Sequence, residues 1–343
     1  MAIEADISET QMLLSYGDVV CMNLLKDHTT QQNIYWATDS YAETMGEGYT
    51  FYDQITLEKI TGDNGMVIRP RALKTKEVQI QRVKDKAEVF TPTWICNAQN
   101  NLVDEAWFGR KDGLFNSIDP SDSCKWVTNK EKIIFPNSPG KTWKDYVADT
   151  RLEITCGEAP YLVNRYDAIT GDFNEDTINR IGLLDRKLRI VSENTETSQE
   201  WLIWGKIALR STYGFEWQGD NLLLAREGLF FSFAEHYIAK FGQMKYNRIK
   251  SRVMNGVAYI ISWNIWQMDG LTFGLPGYIP QKPELPSLFN QLPAPPPPHH
   301  QYCQLKDFMR GVNIHKEKLN RNDFHDLNAP KITFESLVNK KNL

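Results

Sequence analysis

Apolar and polar positions alternate over Leu152-Glu153-Ile154-Thr155, break at Cys156-Gly157-Glu158-Ala159-Pro160, and give way to the apolar run Tyr161-Leu162-Val163. The alternation predicts a short strand, the small residues a sharp turn, and the apolar run the opening of a helix. A second β-prone run, Ser211 to Phe215, ends in Glu216 and precedes a helix capped near Asp220 that carries Leu222, Leu223, Ala225, Leu229 and Phe230. Val257-Ala258-Tyr259-Ile260-Ile261-Ser262 predicts a third, buried strand. Trp201, Ile203, Trp204, Ile207, Ala208 and Leu209 recur at near-helical spacing and predict a helix packed on the sheet. Pro92 suits the first turn of a helix running through Ile95, Ala98 and Leu102, with Thr91 as its cap.

The remaining stretches are less regular. Residues 1–32 predict a helix or two capping the main domain. Over 33–70, aromatic clusters alternate with turn signals at Gly46, Gly48 and Asp63-Asn64-Gly65, which predicts a β-rich subdomain of short strands and hairpins. Residues 69–86 hold seven basic side chains against two acidic ones. Such a stripe suits either a phosphate backbone or a solvated face. Residues 104–150 read as an irregular insertion ending in a short helix at 141–147. The run Pro293-Ala294-Pro295-Pro296-Pro297-Pro298 predicts an extended spacer within 276–300, and 301–343 reads as a polar tail. The expected organisation is therefore an N-terminal cap and basic region (1–86), a core (87–275), a linker and a tail.

Composition narrows the class. The 343 residues are 41% hydrophobic and 24% charged, ordinary for a globular protein, and the net charge of −4 excludes a generally basic surface. The 5 cysteines form no CxxC pair, which disfavours a zinc site or disulfide framework and fits a reducing, cytoplasmic setting. No apolar run reaches membrane-spanning length, so no membrane partner is expected.

A strand, a small-residue turn and a helix start form the usual ligand corner of an open α/β sheet, although an ordinary β–turn–α corner shares the pattern. An acid ending the next strand is placed to accept ribose hydroxyls, which makes Glu216 the candidate acceptor, with Trp217 beside it to pack on a base; a partner for an arginine is the plainer role.

CGEAPYL resembles the CGxGxFL form of the AdoMet-binding motif of N6-adenine DNA methyltransferases. Cys156, Gly157 and Leu162 match; Ala159 stands at the second glycine and Tyr161 at the aromatic position. About 60 residues earlier, Val89-Phe90-Thr91-Pro92 resembles the segment that lies over the cofactor in that family. The chain is also similar to short phage and bacterial proteins labelled restriction endonuclease subunit M. The resemblance implies a Rossmann-like class I AdoMet-dependent methyltransferase core. It implies S-adenosyl-L-methionine as cofactor, held by Phe90, Thr91, Pro92, Cys156, Gly157, Glu158, Ala159, Tyr161, Glu216 and Trp217. It also sets Asp269, in an Asp-x-Leu segment, on the adenine amino group. Gly228 departs from the family's Ala-x-x-Asn segment after Ala225.

The family's catalytic tetrapeptide, Asn/Asp/Ser-Pro-Pro-aromatic, is absent. Asn264, between Trp263 and Trp266, is the one candidate substitute. The chain is expected either to methylate adenine in double-stranded DNA, as an enzyme or modification subunit, or to hold AdoMet or DNA without catalysis in a restriction or anti-restriction complex, with a restriction or specificity subunit as partner. A sheet of this kind needs further strands after Asp269, so it is either cut short or completed by a partner.

Overall fold

Three parallel strands and the helices that join them carry the architecture of the computed structural model, which describes residues 7–86, 88–89, 91–111, 113–276 and 302–339. Helices α1 (Glu9–Tyr16), α2 (Asp18–Leu25), the single turns α3 (Ala42–Met45) and α4 (Leu57–Ile60), α5 (Lys76–Lys86) and α6 (Thr93–Phe108) come first. An antiparallel hairpin of β1 (Asn116–Asp119) and β2 (Asp122–Thr128) follows, then α7 (Trp143–Ala148) and β3 (Arg151–Glu153). Next come α8 (Leu183–Asn194), α9 (Ser198–Arg210), β4 (Thr212–Glu216), α10 (Gly219–Phe241), α11 (Gln243–Asn264) and β5 (Ile265–Gln267). A second hairpin, β6 (Gln304–Lys306) and β7 (Lys331–Thr333), leads into α12 (Phe334–Asn339). The chain is thus mixed α/β, and β3, β4 and β5 form a parallel sheet in that order. The expected helix at 141–147 is α7, whose capping box joins Thr142 and Asp145.

Side chains alternate across this sheet. Ile265 joins the large core built by the helices, together with residues from Ile7 onward. Phe215 and Trp266 face the other way, where Cys303 and Leu305 cover them and Phe334 stacks against both rings at 5.6 Å. The C-terminal residues are therefore not merely a polar tail, because their few apolar side chains close the second face of the sheet.

Three further expectations are corrected. Val257–Ser262 is the last part of helix α11, not a strand, and the third strand is the shorter Ile265–Gln267. The run is apolar because α11 is packed by α2, α9 and α10 as well as by the sheet. An element buried on several sides loses the polar stripe that marks a helix. Residues 33–70 form no strand, only loops, single turns and the isolated bridges Lys26↔Asn33 and Tyr35↔Gln54. Trp36, Tyr41 and Tyr49 gather into one cluster, with ring centroids 4.8 and 5.4 Å apart, instead of alternating across a pleat. The basic stretch is not one continuous free stripe either: Arg69, Lys76 and Lys84 are exposed, but two of its cations are taken up in ion pairs. Arg82 is buried, bonded to Glu88 at 2.5 Å and Asp220 at 2.9 Å, and Lys74 reaches Asp220 at 3.2 Å. A cation that leaves water needs such partners.

Candidate cofactor cleft

A cleft of about 810 Å³ opens at the carboxyl ends of β3, β4 and β5. In open α/β sheets this is where strands stop and turn, leaving backbone amides and side chains free for a ligand. Its floor is the turn after β3. Thr155, Gly157 and Ala159 have φ of 48°, 54° and 61°, a left-handed conformation repeated at alternate residues. Cys156 N–H donates to Phe215 O at 2.8 Å, which ties the turn to β4.

Two buried carboxylates organise this turn. Glu216 accepts Gly157 N–H at 2.9 Å and Gln218 N–H at 3.1 Å. Glu153, ending β3, accepts Tyr161 N–H at 3.3 Å and Leu162 N–H at 3.2 Å. Burial pushes both carboxyls above their ordinary range, Glu153 well above it. Glu153 was missed from sequence, counted only as the polar half of an alternating pair. Its signal was the one that singled out Glu216, an acid at a strand's carboxyl end.

The walls come from three directions. Trp217 and Gln218 lead from β4 into α10, and Asp269 and Gly270 follow β5. Asp269 accepts Leu271 N–H at 2.7 Å and Thr272 N–H at 3.1 Å, which shapes its own loop. Opposite stand Val89 and Thr91, with Gln99 and Asn100 of α6. Asn100 donates to Tyr161 O and Ile181 O, both at 3.0 Å, and Tyr161 donates its hydroxyl to Gln99 at 2.6 Å. These bonds pin α6 across the turn.

Asp220 anchors the start of α10. Burial works against its charge, but Arg82 and Lys74 hold its carboxyl well below the usual range. Tyr41 donates to it at 2.7 Å. Glu88 links this network to the cleft, accepting from Arg82 and from Asn221 Nδ2 at 3.2 Å. Glu88 Oε1 and Asn221 Oδ1 are buried acceptors without a partner among the described residues, and both residues border the cleft. Four carboxyl groups line the cleft (Glu88, Glu153, Glu216 and Asp269), and among the described residues no Lys, Arg or His does.

Thr91, Cys156, Gly157, Tyr161, Glu216, Trp217 and Asp269 thus meet around one cavity. Pro92 caps α6 and lies outside the lining. Glu158 is turned away, accepting Arg71 N–H and the Tyr166 hydroxyl, each at 2.6 Å. Ala159 is packed in the core. Phe90 lies outside the described residues, as do the proline run, His299 and His300.

Asn264 is a correction. It sits at the amino end of β5, buried, donating to Leu209 O at 2.9 Å and Thr212 O at 3.2 Å. Asn264 is the last residue of α11, just before the third strand begins, whereas the cleft opens where the strands finish. It borders no part of the cleft.

Comparison with protein-family models, with curated proteins and with solved structures gives no match.

Proposed function

We propose that this cleft binds S-adenosyl-L-methionine and that the chain is the cofactor-holding module of a DNA adenine-N6 methyltransferase system. On this reading the three strands are part of a Rossmann-like class I core. The observation that carries it is the charge of the lining. A ligand corner walled by four carboxyl groups, with no cation among the described residues that line it, disfavours a nucleotide phosphate and suits a ligand bearing a sulfonium and an ammonium. Glu216 then accepts the ribose hydroxyls through its remaining lone pairs, and Trp217 packs on the adenine. The free acceptors of Glu88 and Asn221 suit the N–H groups of the same ligand.

The same acidity opposes the phosphates of double-stranded DNA, and Asn264 is too far from the cleft to orient an adenine amino group. We therefore favour a module that works beside a restriction or specificity subunit over a self-sufficient enzyme.

Calorimetric titration of the purified chain with AdoMet tests the proposal. Saturable binding is expected, weakened at least tenfold in Glu216→Ala; no binding, or a variant that binds like the parent, overturns it. Transfer of a labelled methyl group to adenine in DNA by the chain alone would favour the enzyme reading.

A further inference from the structure

At the other end of the same strand lies a second pocket of about 730 Å³, and its chemistry is the opposite. It is bounded by α9, α11 and the C-terminal segment from Arg321 to Asn328. Arg210, the last residue of α9, stands just before β4, whereas Glu216 ends that strand. The two cavities are therefore roughly 20 Å apart along it, at 3.3 Å per residue.

Lys206, Arg210, Arg252, Arg321 and His325 line this pocket, with Asp326 as its acid. Arg210 and Asp326 hold each other through bonds of 2.7 and 2.8 Å. That pairing leaves the Nη1 of Arg210 buried and without a hydrogen-bond partner among the described residues, on a residue only 3% exposed. Lys206, Arg252 and Arg321 take no ion pair or side-chain hydrogen bond among the described residues. Burial, then Arg210 and Arg321 against the opposing pull of Asp326, brings Lys206 down to about 8. Arg210 and Lys206 are held here at the cost of burial, and the unused donor of Arg210 suits a compact anion. Beside them runs an apolar wall of Leu202, Ile203, Val253 and Phe324, and the Phe324 ring lies 4.2 Å from the Arg210 guanidinium carbon.

We propose that this pocket binds a phosphomonoester whose body is flat or apolar, such as a nucleoside monophosphate. The phosphate sits among Lys206, Arg210, Arg252 and Arg321, and the body lies on the Phe324 wall. A single pocket whose cations converge on one point favours such a small ligand over a nucleic-acid backbone, which calls for a row of cations along a surface. A second anion beside Lys206 restores its proton affinity, so binding near pH 8 takes up a fraction of a proton.

Titration of the full chain with AMP, adenosine and inorganic phosphate tests this. AMP is expected to saturate, adenosine to bind at least tenfold more weakly, and the double variant Arg252→Ala/Arg321→Ala to lose at least tenfold in AMP affinity. Both arginines are exposed, so the fold does not depend on them. Glu216→Ala should bind AMP like the parent, which separates this pocket from the cleft. Repeating the titration at pH 8 in two buffers of different ionisation heat should show proton uptake that Lys206→Met removes. Four results would overturn the proposal: AMP binding no better than adenosine, an unaffected double variant, a loss confined to Glu216→Ala, or an oligonucleotide that binds where AMP does not.

Discussion

Glu153 and Glu216 hold the turn by accepting backbone N–H groups, and both are harder to ionise than ordinary carboxylates because they are buried. A cationic ligand favours their ionised forms, so binding it expels protons. AdoMet affinity should therefore rise as pH increases above the ordinary carboxyl value of 4.5, and Glu153→Gln should flatten that rise in titrations across pH. His28 makes the opposite demand on the fold. It stacks on Trp263 with ring centroids 4.0 Å apart, and burial, then Arg226 and three lysines, pushes its pKa down to about 2. Below 6.5 the unfolded chain takes up a proton there and the folded chain does not, so stability falls with falling pH by up to about 1.4 kcal/mol per unit. His28→Phe should remove that slope from denaturant melts between pH 6 and 4.

The start of α10 depends on how closely two segments approach. A Cβ on Gly219 would lie 2.0 Å from Tyr35 O, and the Gly219 N–H already donates to Trp36 O at 2.9 Å. Gly219→Ala should cost about 2 kcal/mol or more by forcing α10 away from the N-terminal loops. Because Trp217 and Gln218 lie just upstream, a thermal melt and an AdoMet titration of that variant should shift together. The turn after β3 and the acid ending β4 were legible in sequence because their residue types are needed locally. Gly157 and its neighbours make the sharp bend, and an acid closes a β-prone run. Val257–Ser262 was not legible, since a helix packed on several sides carries no periodicity that separates it from a buried strand. Misreading that one run by an element type also put Asn264 at the wrong end of β5.

The two faces of the parallel sheet draw on distant parts of the chain. The helical face packs into a core that draws on residues from Ile7 to Phe308, whereas the other waits for Cys303, Leu305, Ile332 and Phe334. These residues are thinly spread in a polar stretch, and only pairing of β6 with β7 gathers them, so no local pattern announces their role. Trp266→Ala should cost about 3–5 kcal/mol, the range for emptying an aromatic site in a core. Phe334→Ala should cost less, since that ring is half-buried. Fluorescence-monitored unfolding of the two variants measures both.

The late position of β6 and β7 also sets an order of events during synthesis. Chains leave the ribosome at about 5–20 residues per second. Phe215 and Trp266 therefore emerge several seconds before the hairpin that covers them. In that interval a parallel sheet displays an aromatic face to solvent or to a chaperone. Nascent chains stalled before residue 302 should be captured by a hydrophobic-peptide holdase, and those released after residue 339 should escape it.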